Sequence, residues 1–204
     1  MVKKKLTLEG KRWIAREVTA DEVKQAVFQM DPDKSPGPDG FNAFFFQSYW
    51  DIIREDTTKA VLNFFQTGKL LKEVNHTFVT LIPKVANSSR LSDFRPISCC
   101  NILYKIISKV LCNRLQVVIN GLISLNQNAF LKKRHISDCS LLAHEILRDF
   151  KKKNSPKGCC LKIDLHKAFD SVNREFVYHI MKSMGFPKVW IHWIRECLSS
   201  PSFS

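Results

Sequence analysis

Several patterns are missing from these 204 residues, and each absence removes a class of protein. Apolar runs such as Phe44–Phe46 and Leu141–Ala143 fall far short of the roughly 18 residues that span a bilayer, so no membrane segment is expected. The basic start, Met1-Val2-Lys3-Lys4-Lys5, is followed by no apolar stretch of signal-peptide type, which points to an intracellular chain, nuclear or cytoplasmic, that is not secreted. The seven cysteines are an odd number, include two adjacent pairs (Cys99-Cys100 and Cys159-Cys160) and form no Cys-x-x-Cys, so neither a disulfide framework nor a zinc site is suggested. None of the six histidines pairs with another at i, i+4 around a glutamate, and no Gly-Lys-Ser/Thr follows the glycine-bearing stretch, which removes zinc hydrolases and Walker-type nucleotide sites. Acidic residues are scarce. Nineteen Asp+Glu face 32 Lys+Arg, a net charge of +13, and at this size the natural partner is a polyanion, nucleic acid first.

What is present supports a folded chain, since 45% apolar residues suffice for one core and a second small lobe. The first ten residues read as a basic tail, extended to residue 18 as a separate segment. Thr19, with Glu22 three positions on, is a capping box for a helix to about Met30. Residues 31–40 hold five of the fifteen Gly and Pro, which forces a shaped surface loop. A helix with Trp50, Ile53, Ala60, Val61, Phe64 and Phe65 on one face follows, closed by Gly68. Phe78–Ile82 reads as a strand ended by Pro83, and a polar loop from Lys84 finishes at Arg95-Pro96-Ile97-Ser98. The longest helix is expected over 102–122, with Lys105, Lys109 and Arg114 outside its apolar set, and another over about 137–152. Residues 101–160 carry eleven Lys+Arg against three acids, a concentration that suits a phosphate-binding surface.

Cys159–Leu165 alternates as a strand does, with Cys159, Leu161, Ile163 and Leu165 on one face and Asp164 on the other, near the end. A carboxylate there must be solvated, paired with a basic neighbour or bound to a cation such as Mg²⁺. Asp170, followed by Ser171-Val172-Asn173-Arg174-Glu175, reads as a cap or first-turn acid of the next helix.

Four blocks occur in the order found in reverse transcriptases of non-LTR (LINE-type) retrotransposons, notably plant ones. They are Lys34-Ser35-Pro36-Gly37-Pro38-Asp39-Gly40-Phe41; Leu81-Ile82-Pro83-Lys84 with Phe94-Arg95-Pro96-Ile97-Ser98; Gln127-Asn128-Ala129-Phe130; and Lys162-Ile163-Asp164 with Lys167-Ala168-Phe169-Asp170-Ser171-Val172. The chain resembles that family from about residue 19 to its last residue. The resemblance implies an α+β right-hand polymerase, with largely helical fingers over 19–155 and the first strand and helices of a palm over 156–204. It implies RNA-directed DNA polymerisation on an RNA template and DNA primer with dNTPs, through two Mg²⁺ ions roughly 3.5–4 Å apart. Asp164 then matches the catalytic, metal-binding carboxylate and the Leu165 carbonyl a further metal contact. Lys84 and Arg95 match the residues that hold the triphosphate, and Phe169, with Ala168 beside it, the aromatic under the incoming sugar. Gln127, Phe130, Lys132, Lys133 and Arg134 fall in the template-contacting block, where Lys132-Lys133 replaces the family's usual Pro-Gly.

The family's paired aspartates sit on a later hairpin, and this chain has no Asp-Asp pair. The expectation is therefore an N-terminal polymerase piece, catalytically incomplete alone, whose helix around Trp190 and Trp193 lacks its palm partners. Two other readings share the composition: a non-catalytic basic RNA- or DNA-binding module, and a degenerate retroelement product.

Overall fold

In the computed structural model of the chain, residues 4–150, 159–165, 168–169, 171–199 and 202–203 are described. Five helices build the first layer: α1 (Leu8–Ala15), α2 (Ala20–Phe28), α3 (Ala43–Ser48), α4 (Trp50–Thr67) and α5 (Ile102–Leu122). α2 starts where the capping box predicts, with the Thr19 hydroxyl accepting from the Glu22 amide and the Glu22 carboxylate from the Thr19 amide, both at 3.3 Å. α4 ends at Gly68, whose left-handed φ of 67° lets its amide reach the Phe64 carbonyl at 2.7 Å.

The expected N-terminal tail is instead partly helix. Thr7 caps α1 by accepting from the Gly10 amide, and Leu6 and Ile14 enter the core, so two apolar residues and a cap outweigh the surrounding lysines. α5 is the central element, packed against α1, α2 and α4 through Ile102, Ile106, Ile107, Val110 and Leu111.

Between α4 and α5 the chain forms a hairpin of β1 (His76–Pro83) and β2 (Phe94–Cys100), joined by a turn with one 3₁₀ stretch at Leu91–Asp93. The segment 95–98, expected to close a loop, is thus a strand. Phe94 and Ile97 suit a strand, and Pro96 is tolerated because β2 lies at the edge of the sheet order β2-β1-β3. β3 (Ser202–Phe203) pairs parallel with His76 and Thr77.

After α5 come α6 (Ile136–Phe150), α7 (Arg174–Ser183) and α8 (Lys188–Ser199). α8 does not lack partners. Trp190 is 0% exposed, the Trp193 indole donates to the Phe65 carbonyl at 3.2 Å, and Tyr104 OH donates to the Cys197 carbonyl at 3.2 Å. One apolar core therefore holds α1–α5 together with α8. α6, by contrast, leaves Leu141, Leu142, Ile146 and Leu147 exposed. Among the described residues no helix is long and apolar enough to cross a membrane.

Candidate functional site

The β1–β2 hairpin brings the first two site residues together. Its register sets Ile82 opposite Arg95 and Pro83 opposite Phe94, and one step further the Lys84 amide donates to the Asp93 carbonyl at 2.7 Å. Directly opposed residues share a face and faces alternate along a strand, so Lys84, Ile82 and Arg95 project from the same side at the hairpin tip. Both cations are exposed. The Lys84 ammonium donates to the Ser92 carbonyl at 2.7 Å, which holds it over the turn, while the Arg95 guanidinium makes no hydrogen bond or ion pair among the described residues. Asp93 accepts from the Arg90 amide at 3.1 Å and keeps the turn closed.

The block after α5 divides its residues between two tasks. Arg134 is committed to structure: its guanidinium donates to the carbonyls of Ser124 and Gln127, both at 2.6 Å, and of Asn120 at 3.5 Å, closing the C-terminal end of α5. The Gln127 amide likewise turns inward to the Ala129 carbonyl at 3.2 Å. Phe130 and Lys133 both hold φ of 65°, the left-handed region usual for glycine. Lys133 stands where the family usually has Gly, and it keeps that backbone shape at the cost of strain. Phe130 is 85% exposed and meets Phe169, 81% exposed, edge to face at 6.0 Å between centroids. A template-block residue and the expected sugar-side aromatic are thus neighbours, with both rings open to solvent. Lys132 lies apart from them, beside Trp13, Arg16 and α5.

The carboxylate segment departs from expectation. Residues 159–165 form no strand, and Leu161, Ile163 and Leu165 are more than 70% exposed. Alternation specifies a strand only where a neighbouring edge can pair with it, and among the described residues none does. Asp164 is exposed and has no hydrogen-bond or ion-pair partner among the described residues, so the paired alternative is not realised there. Ala168, beside Phe169, is exposed and its carbonyl accepts from the Ser171 hydroxyl at 3.4 Å. Asp170 lies outside the described residues; the cap of α7 is Asn173, which accepts from the Phe176 amide at 3.1 Å, and Glu175 is its first-turn acid. A two-metal site requires carboxylates from more than one strand. Among the described residues no three His, Cys, Asp or Glu side chains converge, so the donors present do not make such a site.

Two residues that hold this architecture escape the sequence reading. Arg114, set among outward cations by its charge, is 1% exposed. It grips Glu22 bidentately, Nε to Oε1 at 2.9 Å and Nη2 to Oε2 at 2.8 Å, and donates to the carbonyls of Ile14, Arg16 and Glu17. Burial alone would raise the Glu22 carboxyl, but Arg114, the Thr19 amide and Arg16 outweigh it and hold it below the ordinary carboxylate range. Its spacing from the buried Val110, one helical turn back, was the available signal. Asn101 pins the Gly/Pro loop: its Oδ1 accepts from the Asp39 amide at 3.2 Å, its Nδ2 donates to the Glu73 carbonyl at 2.9 Å, and Gly37 packs against it so closely that a Cβ there would overlap it. Lys105 adds a bond to the Ser35 carbonyl at 3.1 Å.

Residues 82–204 match the family model described as reverse transcriptase (RNA-dependent DNA polymerase). The chain is 28% identical over 183 residues to the transposon TX1 uncharacterized 149 kDa protein of Xenopus laevis, covering 90% of this chain and 14% of that protein. It is 26% identical over 163 residues to the retrovirus-related Pol polyprotein from type-2 retrotransposable element R2DM of Drosophila melanogaster, covering 79% of this chain and 15% of that protein. The chain therefore spans about one seventh of the length of these curated relatives.

Proposed function

The chain belongs to the reverse transcriptase family, and on that premise we propose that it forms the fingers and the opening of the palm of an RNA-directed DNA polymerase of a non-LTR retrotransposon. The observation that carries the reading is the placement of Lys84 and Arg95 on one face of an exposed hairpin tip. A triphosphate is well served by that pair, a compact ammonium beside a guanidinium fork that can take two oxygens at once. Phe169 and Phe130 offer open aromatic faces for the sugar and base of the incoming nucleotide and its template. The RNA template, DNA primer and dNTPs are the proposed partners.

Reverse transcriptases as a family use divalent metal ions. Asp164 is proposed as one carboxylate donor, with the Leu165 carbonyl next to it, and no transfer step is assigned to the 204 residues by themselves. Equilibrium binding of a fluorescent dNTP tests the reading. Lys84→Ala and Arg95→Ala are each expected to weaken it about tenfold, as loss of a charge-assisted contact implies. Unchanged binding in both variants would refute it. Primer extension by the 204-residue chain with Mg²⁺ is expected to be absent; extension that is abolished by Asp164→Ala would overturn that expectation.

A second reading, a basic RNA- or DNA-binding module, is favoured by the eleven cations of residues 101–160. It predicts nucleic-acid binding that falls steeply with salt and is indifferent to Lys84, Arg95 and dNTP.

A further inference from the structure

α1, α2 and α5 meet at a recess of about 240 Å³ that nucleotide binding at the hairpin leaves unused. One wall is Trp13, with the Arg16 guanidinium stacked 3.8 Å from its ring centroid. Gln25 from α2 and Gln116 from α5 both line it, and Lys132 reaches its rim from the loop beyond α5. At its floor Glu22 is bound by Arg114 at 2.8 Å and Arg16 at 3.2 Å, so the one carboxylate there is neutralised and Lys132 leaves the recess positive.

The amides have capacity to spare. Gln29 and Asn113 bond each other at 3.0 Å, which orients both, whereas Gln116 has only the Cys112 sulfur at 3.7 Å. Gln25 makes no side-chain hydrogen bond among the described residues. An apolar ligand would leave these groups unmatched. A small anion would find the two arginines already engaged with Glu22. A flat heterocycle with donors and acceptors along its edge, carried on an anionic backbone, satisfies both the amides and the rim lysine. At roughly 30 Å³ of liquid volume per water, the recess has room for about eight waters, comparable to a pyrimidine base.

We propose that this recess is a nucleobase subsite, which holds one unpaired base of a single-stranded nucleic acid crossing the outer side of the fingers, with Lys132 on the adjoining phosphate. It rests on the nucleic-acid reading above but draws its base contacts from Gln25 and Gln116, which that reading does not use.

The test is fluorescence anisotropy with the 204-residue chain and single-stranded RNA and DNA of about 12 nucleotides, each intact and with abasic residues at its centre. Wild type is expected to bind at least one intact strand about tenfold more tightly than its abasic counterpart, the size of one base's stacking and edge contacts. The surface variant Gln25→Ala/Gln116→Ala should lose that discrimination to within about twofold, with its salt slope unchanged, because it removes base contacts and no phosphate contact. Lys132→Ala should weaken intact and abasic strands alike and lower the slope by about one. Wild type that binds intact and abasic strands equally would overturn the subsite and spare the nucleic-acid reading. Wild type that binds neither strand overturns both. Discrimination that survives in the double variant also sinks the subsite, and the wild-type comparison stands even if that variant fails to fold.

Discussion

Arg114→Met should be among the most damaging single substitutions in the chain. The guanidinium is 1% exposed and satisfies five acceptors: two oxygens of Glu22 and the carbonyls of Ile14, Arg16 and Glu17. Methionine fills much of the volume but offers nothing to these groups, and it leaves the Glu22 carboxylate held only by Arg16 at 3.2 Å and the Thr19 amide at 3.3 Å. Breaking a buried pair by removing one partner costs about 3–5 kcal/mol. Arg16 remains as a partial substitute, so the loss should fall near the lower end of that range. A pH signature separates this account from simple loss of packing. The Glu22 carboxyl titrates below its ordinary 4.5 in the folded chain, so its contribution is fully present above that value and is lost as pH falls through the folded pKa. Urea unfolding of wild type and variant should therefore show the largest gap near pH 7, narrowing below about pH 4.5. A gap under about 1 kcal/mol at neutral pH, or one that does not move with pH, would refute the assignment of this pair as the clasp between α1, α2 and α5.

Lys133→Gly should raise stability by about 1 kcal/mol in the same assay, because it releases a left-handed backbone that lysine adopts at φ 65°. Gly37→Ala should cost on the order of 3 kcal/mol, since its Cβ would overlap Asn101 and push the Gly/Pro loop off α5; a neutral result would show that the loop is not clamped there. Asp164→Asn should leave the unfolding free energy within about 0.5 kcal/mol of wild type, as expected for an exposed side chain without a partner. Thiol titration with a coloured disulfide reagent at pH 8 should modify Cys112, Cys139, Cys159 and Cys160 quickly. Cys197 should react only on unfolding, because burial pushes its thiol up to about 12.

Where local chemistry alone decides an outcome, the residues announced it. The Thr19–Glu22 box started a helix, Gly68 ended one, and the apolar period of 102–122 set the bounds of α5. β-Branched and aromatic residues and Pro83 located β1, and the strand that answers it put Lys84 and Arg95 on one face, which pairing alone could reveal. The misses share a cause: each depended on what lay opposite in space. Arg114 was read by its charge, although Val110 four residues earlier marks the buried face. Arg134, which the resemblance sets in the template-contacting block, also spends its fork on three backbone carbonyls that only the fold brings to it. Leu6 and Ile14 were lost among lysines, and Cys159–Leu165 alternates like a strand with no edge beside it among the described residues.

The distribution of burial then separates two properties that the family couples. The β1–β2 hairpin that carries Lys84 and Arg95 leaves Phe78, Leu81, Ile82 and Ile97 exposed, whereas the helices around α5, together with α8, close one core through Ile106, Trp190 and Trp193, and the Asn101-clamped loop and the Trp13 recess are built on it. Asp164 is not: it sits on an extended, exposed segment whose leucine and isoleucine side chains are bare. Burying those side chains would gain roughly 1.5–3 kcal/mol each, so the segment has a strong drive to become a strand as soon as an edge is offered to it. The proposed base recess is thus held by packed helices. Asp164 has no such support among the described residues, and the two should respond independently to substitution because they draw on separate packing.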